Sequence, residues 1–147
     1  IDTNLLLVIF IGLISEQLFK NHKRTEKYNI QDFNFLNVFA YQFEKRYTTP
    51  HILTEISNLA ALTKGKYQTL FKKVSLAIAQ DYVEAYGAFD NMVNHDYYEY
   101  LGLTDTWVLE LSKSKKLLVI TDDQPLSVYL KAFGQDCIYY NDIRQGD

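Results

Sequence analysis

Short runs of apolar residues alternate along this chain with longer segments whose apolar residues recur at helical spacing. Residues 117–120 and 137–140 have the length and continuous hydrophobicity of buried strands, and residues 46–49 form a shorter strand candidate. An alternation of strands and helices is typical of a parallel sheet whose two faces are covered by helices. We therefore predict an α/β fold with a central parallel sheet flanked by helices.

Six segments are predicted to be helical. Residues 67–86 carry apolar side chains at three- and four-residue steps, which is the spacing of one face of a long amphipathic helix. A further helix starts at Pro50, because Thr49 is a favourable cap and proline fits the first turn, and it ends near residue 62. The other helices are predicted over residues 5–19, 33–43, 104–112 and 126–133.

The size and composition of the chain favour one globular domain. Its 147 residues are 48% hydrophobic and 22% charged, a balance that supplies a buried core, so residues 1–147 are interpreted as a single domain. The one cysteine, Cys137, excludes an intramolecular disulfide and a cysteine-based zinc site, and we expect a reducing, cytoplasmic setting. Ile1 is interpreted as the tail of a first strand, and we expect that strand to begin before Ile1 because the chain lacks an initiator methionine.

Two features limit the partners of the protein. The formal net charge of -3 provides no general attraction to nucleic acid, so a polyanionic partner would need local basic patches or a metal ion.

The apolar run at residues 5–14 is about ten residues long, whereas a transmembrane helix needs roughly 20. This run also follows the acidic Asp2 and lacks the basic start of a secretory signal. We expect a buried helix and no membrane partner.

Acidic residues lie beside apolar residues at the ends of several predicted elements, where an uncompensated charge is costly. Asp2 and the pair Asp122 and Asp123 directly follow strands, at the edge where ligands of parallel sheets bind. Glu55 and Asp105 lie near the starts of helices that would border the same crevice. Clustered carboxylates repel one another unless a cation neutralises them, and oxygen ligands suit a hard divalent cation. The pattern predicts a divalent metal site.

Each acid taken alone also fits a structural role. Asp2 and Asp105 fit helix caps, Glu55 fits a first-turn residue, and Asp122 with Asp123 fits the cap of the helix that follows them. The joint order of the acids is what favours a metal site. The sequence contains no glycine-rich phosphate loop, no His-Glu-x-x-His, no Gly-x-Ser-x-Gly and no paired cysteines.

In the order and context of its acids, this chain resembles the PIN domain family, the nuclease fold that includes the VapC-type toxins of bacterial toxin-antitoxin pairs. Asp-Thr-Asn-Leu at residues 2–5 is similar to the family's first-strand motif, and Glu55 lies where the family has its second acid. Gly-Leu-Thr-Asp at residues 102–105 leads into an apolar helix, as the family's third acid does. Thr-Asp-Asp at residues 121–123 is similar to the family's Thr-x-Asp motif.

This resemblance implies a three-layer PIN-like fold and a metal-dependent nuclease that uses Mg²⁺ or Mn²⁺. Its implied catalytic metal ligands are Asp2, Glu55, Asp105 and Asp123. The implied supporting residues are Thr3, Asn4, Thr121 and Asp122. The position of the acid within the Thr-x-Asp motif favours Asp123 over Asp122 as the fourth ligand.

The activity implied by the resemblance is hydrolysis of phosphodiester bonds inside single-stranded RNA, leaving a 5′ phosphate and a 3′ hydroxyl. A toxin of this family would have an antitoxin protein as its partner. The excess of aromatic and apolar residues in segments 33–43 and 67–86 also predicts a homodimer. Two alternatives stay open at this point: a catalytically inactive PIN-like module that binds RNA, and a metal-dependent phosphohydrolase or nuclease that acts on DNA.

Overall fold

The computed structural model describes residues 1–62 and 64–144, which form nine helices and four three-residue strands. The helices are α1 (Thr3–Ile14), α2 (Glu16–Asn21), α3 (Ile30–Tyr41), α4 (Pro50–Ala60), α5 (Gln68–Asp81), α6 (Phe89–Val93), α7 (Tyr98–Lys115), α8 (Gln124–Ala132) and α9 (Tyr140–Ile143). The strands are β1 (Arg46–Thr48), β2 (Tyr82–Glu84), β3 (Val119–Thr121) and β4 (Cys137–Tyr139).

The strands pair in parallel, as the sequence predicts, but they do so in two separate sheets. Strand β1 pairs with β2, and β3 pairs with β4. Residues of β1 and β3 both line a cavity of about 210 Å³ that also contacts Ile1. The protein is therefore a mixed α/β protein with two small parallel sheets among its described residues, in place of the single central sheet that the sequence predicted.

Ile1 was predicted to be the tail of a first strand that begins before it. Ile1 and Asp2 belong to no strand, although the Asp2 N–H donates a hydrogen bond to the Ile120 carbonyl at 3.1 Å. This bond lays the start of the chain against β3. Asp2 thereby reaches the carboxyl end of that strand, where Thr121 lies.

The apolar run at residues 5–14 forms the centre of the core. It makes up most of α1, whose side chains are buried on almost every side, as expected for a helix that is hydrophobic all round. Helices α2, α3, α4 and α5 all contact it. Within the part of the chain that the structure describes, no helix is long and apolar enough to cross a membrane.

The predicted helix over residues 5–19 is broken at Ser15. The backbone of Ser15 is extended, and its hydroxyl accepts a hydrogen bond from the Leu18 N–H at 3.3 Å, which caps α2. Serine competes for backbone hydrogen bonds in this way, so it favours helix ends over helix interiors. Two helices consequently take the place of one.

Two helix starts follow local capping rules. The Thr49 hydroxyl accepts from the Ile52 N–H at 3.2 Å, which confirms the predicted start of α4. Helix α3, predicted over residues 33–43, begins earlier because Asn29 and Asp32 form a reciprocal capping box. Each cap satisfies backbone donors that the first helical turn leaves unpaired.

Two further helices differ from their predictions. The helix predicted over residues 67–86 ends at Asp81, and the chain continues as β2 because Tyr82 and Val83 suit a strand paired with β1. Helix α7 is longer than predicted and is interrupted at Gly102, whose φ of 71° and ψ of -178° are accessible to glycine. This break starts a new helical segment immediately before Asp105.

The last three predicted elements, residues 117–120, 126–133 and 137–140, are confirmed with shifts of one or two residues as β3, α8 and β4. Helix α6 lies outside the six helices predicted from the sequence. Strand β3 is buried along its length, which places its carboxyl end at the interior of the molecule.

A carboxylate-lined candidate active site

The structure brings the four predicted acids to one cavity of about 230 Å³. The cavity lies where the start of α1, the middle of α4, the Gly102 break in α7 and the start of α8 meet. Its lining residues are Asp2, Thr3, Asn4, Glu55, Leu101, Gly102, Leu103, Thr104, Asp105 and Asp123. Acids separated widely in sequence thus share one pocket.

Asp2 is buried at the amino terminus of α1 and is held by three donors. One carboxylate oxygen accepts from the Leu5 N–H at 3.0 Å, so Asp2 is also a helix cap. The other oxygen accepts from the Thr121 hydroxyl and from the Asp122 N–H at 3.0 Å. Burial and the nearby charge of Asp122 raise the pKa of Asp2 to about 6, although the hydrogen bonds partly offset them.

Thr121 links two of the acids. Its buried hydroxyl donates to the Asp2 carboxylate and accepts from the Asp123 N–H at 2.9 Å. The single hydroxyl therefore fixes the Asp2 side chain and the backbone of the turn that carries Asp123. This is a positioning role, and Thr121 itself does not line the cavity among the residues that the structure describes.

Asp105 has the least compensated carboxylate of the cavity. No residue in 1–62 or 64–144 donates a hydrogen bond to it or forms an ion pair with it. Burial, as the larger cause, and the surrounding carboxylates together raise the pKa of Asp105 to about 7. These carboxylates are, in order of decreasing effect, Asp2, Asp123, Glu55 and Asp122. The raised pKa of Asp105 is thus a consequence of its burial and of the closeness of these carboxylates.

Glu55 is connected to α7 through Thr104. The Thr104 hydroxyl donates to one carboxylate oxygen of Glu55. Glu55 is the sixth residue of α4 and therefore lies beyond the first turn of the helix. A purely structural role for Glu55 as a first-turn residue does not fit this position. The contact joins α4 to the helical segment after Gly102, and it turns Glu55 toward the cavity.

Asp123 combines a structural role with a place in the cavity. One of its carboxylate oxygens accepts from the Leu126 N–H at 2.8 Å and caps α8. Its other oxygen has no hydrogen-bond donor within the described part of the chain. Asp123 therefore fits both interpretations made from the sequence, the helix cap and the member of an acidic cluster.

Asp122 does not line the cavity, and its carboxylate has hydrogen-bond and ion-pair partners of its own. Its carboxylate lies 2.5 Å from the Lys27 ammonium and 2.5 Å from the Tyr28 hydroxyl, and the Asn4 amide donates to it at 3.2 Å. Burial alone would raise the pKa of Asp122, but the hydrogen bonds from Lys27 and Tyr28 hold it below its ordinary value. Asp122 is thus already compensated, which favours Asp123 as the fourth cavity acid.

Lys27 and Tyr28 are contributors that the sequence did not reveal. They are 95 and 94 positions from Asp122 and belong to no recognisable motif. Asn4, which the family resemblance placed in support of the site, supports Asp122 rather than a cavity acid. A basic residue beside a tyrosine is too common a pattern to have indicated this contact.

Thr3 lies at the cavity with an unsatisfied hydroxyl. Its oxygen is buried and has no hydrogen-bond partner within residues 1–62 and 64–144. Buried hydroxyls in folded proteins are nearly always paired, so an orphan at a cavity wall indicates a group that binds there. A phosphate oxygen or a ligated water would satisfy it.

The cavity fits a divalent cation in its donor chemistry and its charge. All four acids are oxygen ligands, and none of them forms an ion pair with a described lysine, arginine or histidine. As the side chains stand, no group of three or more His, Cys, Asp or Glu residues among those described could hold a metal ion. Hydrogen bonds already engage both carboxylate oxygens of Asp2 and one oxygen each of Glu55 and Asp123.

Comparisons with known proteins do not assign this chain to a family. A scan of protein-family models, a search of curated proteins and a search of solved structures all found no match. The resemblance based on motif order therefore stays a prediction. Functional inference rests on the cavity, its carboxylates and the groups around them.

Proposed function

We propose that the protein is a Mg²⁺- or Mn²⁺-dependent endoribonuclease of the PIN type that hydrolyses single-stranded RNA. The observation that carries this proposal is the convergence of four acids on one cavity without a basic partner among the described residues. The acids that would hold the cation are Asp2, Glu55, Asp105 and Asp123. A fold that keeps such mutual repulsion is best explained by a ligand that relieves it.

The residues of the chain have distinct parts in this proposal. A bound divalent cation supplies an activated water and neutralises charge on the phosphate. Asp105 is the main candidate ligand because both of its oxygens lack donors among the described residues. Thr121 and Thr104 hold Asp2 and Glu55. The orphan hydroxyl of Thr3 is placed to donate to a phosphate oxygen.

The proposed partners follow from the family resemblance and from the surface. An antitoxin is expected if the protein is the toxin of a toxin-antitoxin pair. Helix α3 exposes Phe35, Val38 and Tyr41, large apolar side chains that favour a protein contact, and we assign them to a homodimer. A monomeric mass in light scattering at high micromolar concentration would contradict the dimer.

Cleavage assays with matched variants test the proposed activity. The parent protein should cut single-stranded RNA in Mn²⁺ or Mg²⁺ and stop in chelator. Asp105→Asn should lower the rate by about 100-fold or more, because the amide keeps the shape but loses the charge. The control is Asp136→Asn, an exposed acid away from the cavity, which should cleave as the parent does.

Two results would replace this proposal with the alternatives. Preferential cleavage of DNA or of a small phosphate ester would identify a different metal-dependent phosphohydrolase. RNA binding without any cation-dependent cleavage would identify an inactive binding module. Undiminished cleavage by Asp105→Asn would overturn the assignment of the cavity.

A further inference from the structure

Aromatic side chains line a second cavity, of about 430 Å³, beside the start of α7 and the end of α8. Its lining residues are Asn94, His95, Asp96, Tyr97, Tyr100, Tyr129 and Phe133. The three residues before Tyr97 are polar, and the other four are aromatic. No step of the proposed hydrolysis uses this cavity.

The wall of this cavity is a fixed stack of rings around Tyr97. The His95 ring lies parallel to the Tyr97 ring at 4.9 Å, and the Phe133 ring meets it edge-on at 5.4 Å. The Tyr97 hydroxyl donates to the Glu110 carboxylate, which holds the buried ring in place. A preorganised aromatic surface of this kind binds a flat ligand with little loss of side-chain freedom.

Two rings of the cavity leave much of their surface open. Tyr100 is 68% exposed, and Phe133 is 44% exposed. Tyr100 makes no ring contact with another aromatic residue within the described chain. Exposed aromatic faces beside a cavity are favourable stacking surfaces for unpaired bases, because every base presents a π face.

The same two helices carry both cavities. Tyr100 lines the aromatic cavity, and its neighbour Leu101 lines the carboxylate cavity. On α8, Asp123 caps the helix at the carboxylate cavity while Tyr129 lies six residues later, roughly 9 Å along the axis. A strand whose phosphate lies at the carboxylates can therefore place a nearby base at the aromatic rings.

We propose that the aromatic cavity binds an unpaired nucleobase of the single-stranded substrate, next to the phosphate that is cut. This inference rests on the proposed nuclease function. Tyr100 and Phe133 supply stacking surface, and the side-chain oxygens of Asn94 and Asp96, which line the same cavity, can accept hydrogen bonds from the edge of the base. An apolar protein segment fits less well, because three of the seven lining residues are polar.

Binding measured in chelator tests this proposal without depending on cleavage. Fluorescence anisotropy compares a single-stranded RNA oligomer with an abasic oligomer of equal length. Tyr100→Ala should weaken binding of the base-bearing oligomer about tenfold and leave the abasic oligomer unchanged. Tyr100→Phe should retain binding, because the ring is kept. The control is Tyr86→Ala, which removes a tyrosine that is 73% exposed elsewhere and should bind as the parent does.

The outcomes separate this inference from the proposed activity. Base-dependent binding that needs Tyr100, in a protein that cuts nothing, would support the aromatic subsite and overturn the nuclease assignment. Cation-dependent cleavage combined with unchanged binding by Tyr100→Ala would overturn the subsite alone. Equal losses for both oligomers, or no preference of the parent for the base-bearing one, would also overturn the subsite.

Discussion

The Thr121 hydroxyl donates a hydrogen bond to the Asp2 carboxylate, joining residues that are 119 positions apart. The same hydroxyl accepts from the Asp123 N–H. One buried oxygen atom thus holds the start of the chain against the end of β3 and orders two of the four cavity acids. Thr121 acts on the site through these acids rather than by contact with the cavity.

Replacing Thr121 with valine should damage both stability and activity. The variant keeps the shape but leaves the buried Asp2 oxygen short of a donor, a loss of about 2 kcal/mol in unfolding free energy. Cleavage should fall about tenfold because second-shell bonds orient metal ligands. Thr121→Ser should restore both. Denaturant titration and cleavage rates measure these effects.

Thr106 provides a matched control for that experiment. Its hydroxyl is equally buried but has no hydrogen-bond partner among the described residues. Removal of an unpaired buried hydroxyl is expected to be neutral or stabilising. A loss in Thr106→Val as large as that in Thr121→Val would show that the bond to Asp2 is not the cause.

Asp122 and Asp123 should respond to substitution in opposite ways. Asp123→Asn keeps its cap, since asparagine caps as well as aspartate, so its melting temperature should stay close to the parent's. It should lose most of the rise in melting temperature that Mn²⁺ produces. Asp122→Asn loses its ion pair with Lys27 and should melt lower, but it should keep the Mn²⁺ response. Thermal melts with and without Mn²⁺ measure both effects.

A reversed pattern would identify the wrong acid. If Asp122→Asn abolishes the Mn²⁺ response and Asp123→Asn retains it, the fourth ligand is Asp122. That result would also mean that the contacts of Asp122 with Lys27 and Tyr28 are broken when the metal binds.

Stability in chelator should decrease as the pH rises. The pKa values of Asp2 and Asp105 are raised to about 6 and about 7 in the folded protein. The folded state therefore binds more protons than the unfolded state between about pH 4 and about pH 7, and its unfolding free energy falls across that window. Asp122 and Glu110 have lowered pKa values, so they are ionised in both states above about pH 5 and add no slope there.

Thermal melts from about pH 5 to about pH 8 measure this dependence. The melting temperature should drop by about 10 °C, because about three pKa units of linkage from Asp2 and Asp105, roughly 4 kcal/mol, are lost across this range. Asp105→Asn should remove most of the slope, because it removes the most strongly raised carboxyl. An unchanged slope in that variant would show that Asp105 ionises in the fold without penalty.

Local sequence signals determined much of the fold and were sufficient to select the acids that line the cavity. Thr49 and Pro50 specify the start of α4, and the run at residues 5–14 specifies a buried helix, because caps and hydrophobic periodicity act within one or two turns. Asp2, Asp105 and Asp123 could be selected because they adjoin predicted strand ends and helix starts. The break at Ser15 also has a local cause, because Ser15 caps α2. The apolar residues around Ser15 had instead indicated one continuous helix.

Only the tertiary structure decided the contacts between distant segments. Tyr82 leaves a helical pattern for β2 because a partner strand is present at Arg46, and such pairing overrides local propensity. The charge of Asp122 is compensated by Lys27 and Tyr28, which lie far from it in the sequence. The sequence by itself determined that Asp123 lies after a strand and caps a helix, because those signals are local. Which acid stays uncompensated depends on charges brought together by folding, because electrostatic interactions act through space and not along the chain.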